Sequence, residues 1–151
     1  MPREDMIMLS VSPTYARPIV SGAKSVELRR RAPRIADGTR AWLYSTLPVG
    51  EIVALLKIDT VVEAPIAELW ELYGPKASIS KAAFDSYFAG LESGAALIIG
   101  DVQPLKTPIS LQEMRRHGAF HPPQFYSRVS PEAAAKRLAS SELYPPVRLV
   151  A

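Results

Sequence analysis

The stretch SGAKSVELRRR (21–31) sets an ammonium, a carboxylate and a guanidinium close together, as Lys24, Glu27 and Arg29. In an extended chain Glu27, Arg29 and Arg31 turn to one side while Val26 and Leu28 turn to the other. Such a set can hold an anion and still present a carboxylate to a polar edge. Gly22 permits a tight turn just before Lys24 and leaves the amine at the mouth of the strand. If burial strips water from that amine its pKa falls, and it gains nucleophilic or basic character. The plainer reading is a solvated strand face on which Glu27 and Arg29 pair with a neighbour. Spacing alone leaves both open.

Two further stretches carry usable groups. In WLYSTLP (42–48), Tyr44 shares the side away from the core with Trp42 and Thr46, offering a ring for stacking and a hydroxyl. The alternative for both aromatics is packing beneath a helix. In HPPQFYSR (121–128), two prolines stiffen a loop that presents Gln124, Tyr126, Ser127 and Arg128 with little conformational entropy left to lose. Gln124 suits a base edge and Arg128 a phosphate. In an enzyme, Lys24 would lead, with Tyr44, Ser127 or a histidine handling protons. His117 and His121 stand four apart, but Gly118 and Pro122 disfavour the helix that would align them on a metal. No metal or cofactor is expected. No phosphate-binding glycine loop, dinucleotide fingerprint or nucleophile elbow occurs. The Phe84–Tyr87–Phe88 cluster and the ELW run (68–70) read as core packing.

The elements that must position these residues follow from periodicity and punctuation. MIMLSVS (6–12) predicts a strand and PTYARPIVS (13–21) a short helix stopped by Gly22. KSVELRRR (24–31), AWLYSTL (41–47), EIVALLKIDTVV (51–62) and AALIIGDV (95–102) predict strands, with an Asp37–Gly38 turn between the first two. Helices are expected over 65–73, over 79–88 behind a Ser80 cap, from Ser110 through Arg116, and over 131–140 behind a Ser130 cap. A short strand follows the loop at 117–130. Five to six short strands with helices between them give an α+β domain, a closed or nearly closed barrel with helical insertions. One domain over 1–151 is expected, with 129–151 as a C-terminal helix and tail.

Composition bounds the rest. The 151 residues are 48% hydrophobic and 22% charged, as in globular chains, and the absence of cysteine excludes disulfides, thiol catalysis and cysteine metal sites. No run of 18 apolar residues and no leader-like segment occurs, so a soluble cytoplasmic protein with no membrane partner is the expectation. The net charge of +3 is unevenly spread. Residues 17–40 carry seven basic side chains against two acidic ones, whereas residues 51–94 carry three against seven. Residues 101–148 are basic again. Ends that meet in the fold would form a positive face suited to a polyanion.

The order LSVSPTYARPIVSGAKSVELRRR, LYSTLPVGEIVALLKI, LW, SKAAFDSYFAG and PPQFYSRV resembles the ASCH domain family of the PUA-like superfamily, from about Met8 to Arg128. Gly22, Lys24, Glu27 and Arg29 form its G-x-K-x-x-E-x-R core, accompanied by the Y-x-T-x-P strand and the late P-Q-x-F/Y loop. The resemblance implies a PUA-like β-barrel whose cleft, between barrel and helices, binds RNA or modified nucleosides. Lys24, Glu27, Arg29, Tyr44, Thr46 and Gln124 would line it. Some ASCH-like members cleave single-stranded RNA, and these place a basic residue where Gly50 stands here. A small bacterial group hydrolyses the amide of N4-acetylcytidine; Ser25 and Glu27 stand where its K-T-x-T pattern has two threonines. The leading expectation is an RNA- or nucleotide-binding module, most readily for single-stranded RNA. Arg29, Arg31 and Arg128 would meet phosphates, Tyr44 would stack a base, and Glu27 with Gln124 would contact its edge. A metal-independent ribonuclease or amidohydrolase is the second expectation. A transcription-related adaptor using the acidic central helices is the third, and the sequence names no protein partner.

Overall fold

Strands alternate in burial only when one face is wet, and here most strands are covered on both. The computed structural model describes residues 6–149, and for His117 the backbone alone. Six strands form one mixed sheet: β1 (Met6–Val11), β2 (Val26–Arg29), β3 (Thr39–Ser45), β4 (Glu51–Pro65), β5 (Ser93–Ser110) and β6 (Tyr126–Val129). Their order is β2-β5-β4-β3-β1-β6, with β1 parallel to β3 and every other pair antiparallel. Five helices accompany them: α1 (Pro13–Ser21), α2 (Ile66–Tyr73), α3 (Lys81–Tyr87), α4 (Leu111–Met114) and α5 (Pro131–Ser140). No helix among the described residues is long and apolar enough to cross a membrane.

The sheet curls around a core of Ile7, Leu9, Ala41, Leu43, Leu56, Leu97 and Ile99, into which α1 inserts Ala16 and Ile19. A second apolar layer covers the opposite face of β1 and β3. There Met8, Trp42, Tyr44 and Leu55 pack under α5 through Ala134 and Leu138, and against Leu143 of the tail. A third joins Val26 and Leu28 to Leu69 of α2, Phe84 of α3 and Phe88 just beyond it. The barrel differs from a closed one in a specific way. The ladder ends at β2 on one side and β6 on the other. The Arg29 side chain, from β2, reaches the Ser10 carbonyl of β1 at 2.7 Å. A four-residue β2 makes a single ladder, to β5, and a side chain spans the remaining seam.

Local signals placed most elements. Ser80, Ser110 and Ser130 each accept the N–H three residues on, at 3.1, 3.1 and 3.2 Å, and open α3, α4 and α5. β4 and β5 run longer than their apolar stretches, to 15 and 18 residues. Pro104 and Pro108, which would ordinarily end a strand, lie within β5, and the β4–β5 register shifts between Ile52 and Ala54, beside Pro104. Gly22 ends α1 at φ 87°, with its N–H on the Ile19 carbonyl at 3.1 Å. A Cβ there would run into the Arg148 carbonyl oxygen. Gly22→Ala therefore meets both a left-handed backbone and a backbone clash, and should lower stability by about 2 kcal/mol. A drop in the urea midpoint with unchanged m-value checks this.

Candidate functional site

The seam between β2 and β1 is a cavity of about 300 Å³. Its position follows from the pleat. Glu27 pairs with Leu97, whose side chain belongs to the barrel core, so Glu27 and Arg29 face the barrel interior while Val26 and Leu28 face α2 and α3. Lys24 enters from the turn after α1, its N–H bonded to the Pro18 carbonyl at 3.0 Å; the next N–H, of Ser25, reaches the Lys76 carbonyl at 2.9 Å.

Lys24 and Glu27 are only 2% and 5% exposed. The carboxylate is shared: Oε1 accepts from Lys24 Nζ at 2.9 Å and Oε2 from Arg29 Nη2 at 2.7 Å. Each cation also lies over a ring, Lys24 Nζ at 4.4 Å from the Tyr15 centroid and Arg29 at 4.6 Å from that of Phe125. Two cations and one carboxylate leave one positive charge in excess at the cavity. Arg29 Nε and Ser10 Oγ are buried without a protein partner; the Ser10 side chain, paired with Tyr44, lies on the Met8–Trp42 face of β1, and it is the Ser10 carbonyl that meets Arg29 at the seam. Thr46, Gln124, Tyr15 and Tyr87 complete the walls.

The structure thus brings together Lys24, Glu27, Arg29, Thr46 and Gln124, and places other candidates elsewhere. Tyr44 and Trp42 do lie on the face opposite Leu43, but the C-terminal helix and tail cover that face, and Tyr44 is 2% exposed. Its ring is packed in an apolar layer and does not line the cavity. Ser127 and Arg128 are exposed on β6, outside the cavity, and Arg128 donates to the Arg34 carbonyl at 2.6 Å. Arg31 lies beyond the end of β2 and turns to a separate hollow. His121 is exposed in the loop, and the His117 side chain lies outside the described residues. The aromatic walls that sequence reasoning missed are Tyr15 and Tyr87. Tyr87 shares its spacing with Phe84 and Phe88, a pattern that reads as packing, yet it is 37% exposed while both phenylalanines are buried. Its hydroxyl, set among phenylalanines on a short helix, was the available signal. Among the described residues no three His, Cys, Asp or Glu side chains gather as metal ligands.

With this geometry in hand, the chain can be set beside known proteins. It is 34% identical over 137 residues to an ASCH domain-containing ribonuclease of Zymomonas mobilis, covering 90% of this chain and 92% of that one. The chain belongs to the ASCH domain family. No family model matches it. The crystal structure of the Zymomonas mobilis ASCH protein superposes with a TM-score of 0.85 at 33% identity, covering 91% of this chain and 96% of that one. A serine-to-alanine variant of the same protein gives 0.86 at 32% identity over 94% and 100%. The ASCH fold of those structures is the α+β architecture described above.

Burial of charge sets two expected outcomes, one inside the site and one beneath α5. Glu27→Gln leaves Lys24 and Arg29 buried without their carboxylate and should cost about 3 kcal/mol in urea unfolding. Tyr44 has its pKa raised above 10.0 by burial, with Arg115 pulling it down more weakly. A raised folded-state value means the contribution is intact below pH 10 and is lost as pH climbs through the folded value. Stability measured across about pH 9 to 11 should therefore decline, and Tyr44→Phe should flatten part of that decline.

Proposed function

We propose that this ASCH domain binds single-stranded RNA at the seam cavity. The observation that carries the reading is the Lys24–Glu27–Arg29 trio, with one positive charge in excess, in a cavity that Tyr15 and Tyr87 also line. The excess charge calls for an anion, and the rings call for a planar group. A nucleotide in an unpaired strand supplies both, since its base is free to leave a stack and its phosphate lies alongside. Lys24 and Arg29 would hold the phosphate. Tyr15 or Tyr87 would stack the base, and Gln124 at the rim would meet its edge. The similarity to a protein named as a ribonuclease supports RNA as the ligand class.

That name also favours a second reading, in which the RNA is cut. Here Lys24 and Arg29 would stabilise charge developing on the phosphate. Both Glu27 oxygens are engaged by cations, so for Glu27 to take a proton one of those pairs must open. The arrangement as it stands is therefore better suited to holding an anion than to moving a proton.

Fluorescence anisotropy with a labelled single-stranded RNA tests the first reading. Lys24→Ala and Arg29→Ala should each weaken binding about tenfold or more. Wild-type affinity should fall with added salt, through counterion release. Equal affinity at low and high salt would count decisively against it. Incubating the same RNA with protein and resolving the fragments tests the second: cleavage abolished by Lys24→Ala would establish it, and intact RNA with retained binding would remove it.

A further inference from the structure

A second hollow of about 360 Å³ lies at the exit of β2, lined by Arg30, Arg31, Glu63, Ser93 and Gly94 among others. Arg30 and Arg31 are exposed, and neither forms an ion pair with Glu63. Arg30 Nη1 instead donates to the Tyr87 carbonyl at 3.4 Å, while the Tyr87 side chain walls the first cavity. Tyr87 is thus the shoulder between the two hollows. Arg29 points into the first and the next two arginines line the second. Two residues of extended chain span at most about 7 Å, which bounds the distance between the Arg29 and Arg31 Cα atoms.

The two hollows differ in chemistry. The first has tyrosine walls and a buried carboxylate, as a base and its polar edge require. The second has no aromatic wall and holds two guanidiniums, one carboxylate and a serine, a set suited to phosphate and sugar oxygens but not to a base. We infer that the Arg30–Arg31 hollow holds the backbone phosphate of the nucleotide adjoining the one in the cavity, so that the ligand is an RNA strand and not a free nucleoside or mononucleotide. This rests on the RNA reading of the first cavity and adds a direction: the strand leaves over Tyr87 towards β2's exit. Glu63 opposes a phosphate there and tempers the affinity of the hollow.

Two probes separate the possibilities: a single-stranded RNA of six nucleotides and adenosine 5′-monophosphate, each titrated by calorimetry into the whole protein. The hexamer should bind at least about tenfold tighter than the mononucleotide, as expected from one added charge-assisted contact. The double change Arg30→Ala with Arg31→Ala should remove that advantage and leave mononucleotide affinity unchanged. It should also make the salt dependence of hexamer binding shallower by about 0.7 in log–log slope, the share of one phosphate contact in a single strand. Glu63→Gln should tighten the hexamer alone. Arg31→Ala, which leaves the Tyr87 carbonyl contact in place, repeats the test if circular dichroism shows the double variant misfolded. Hexamer affinity and salt slope unmoved by any of these changes would overturn the second subsite while leaving the cavity reading standing. Failure of both probes to bind the wild-type protein would overturn the RNA reading and this inference with it.

Discussion

The constraint on which the site depends is the burial of one carboxylate between two cations across an unladdered seam. β2 has four residues and pairs with β5 alone, so no backbone bonds carry the sheet from β2 to β1. Arg29 makes that connection, with Nη2 bonded both to Glu27 and to the Ser10 carbonyl. A charge placed here without a partner would be expensive, and the trio meets that demand internally. The same arrangement fixes the side chains before any ligand arrives. Lys24 and Arg29 are each held by a carboxylate oxygen and a ring, so their rotamer entropy is lost on folding and not on binding. Structural closure and preorganisation of the cavity are one set of contacts.

Much of this was legible from local signals. The G-x-K-x-x-E-x-R core predicted that Lys24, Glu27 and Arg29 would act together, and the alternation predicted that Glu27 and Arg29 would turn away from Val26 and Leu28. Serine caps and Gly22 placed helix boundaries because each acts through its immediate neighbours. What alternation does not specify is which face of a strand is wet. Trp42 and Tyr44 alternate with Leu43 as read, but Ala134, Leu138 and Leu143, some ninety residues later, cover the face they share. Only the path of the chain decides that. The plainer reading makes the side carrying Glu27 a solvated face, whereas the curl of the sheet makes it the barrel's interior. A seam cavity, with polar groups inside and apolar groups outside, inverts the usual reading of strand period.

The missed tyrosines have a related explanation. Helical spacing assigns a residue to a face, and Phe84, Tyr87 and Phe88 share one. Phe84 and Phe88 are buried against Val26 and Leu28, while Tyr87 sits at the final turn of α3, where the packed face meets the cavity mouth. Burial still acts on it, raising its pKa above the ordinary phenol value, with Glu27 pushing the same way and Arg29 opposing. It is therefore a neutral, polar-tipped ring at the boundary between the packed layer and the mouth of the cavity. Tyr15, in the first turn of α1, is half-buried, with its ring turned to Lys24.

Charge then discriminates among ligands for the cavity. A neutral ligand would leave the trio's extra positive charge uncompensated and would displace whatever water tempers it, so burial of such a ligand would strengthen an unbalanced field. An anion removes the imbalance, and gains most where the dielectric is lowest, beside Lys24 and Arg29. An isolated inorganic anion would satisfy the charge but leave the tyrosine walls without a partner. A planar group tethered to an anion uses both features, and the tether length is limited by a cavity in which Lys24, Arg29, Tyr15 and Tyr87 share about 300 Å³. On the reading proposed above, that combination suits a nucleotide, because the charge excess and the rings each leave a different simpler ligand incompletely matched.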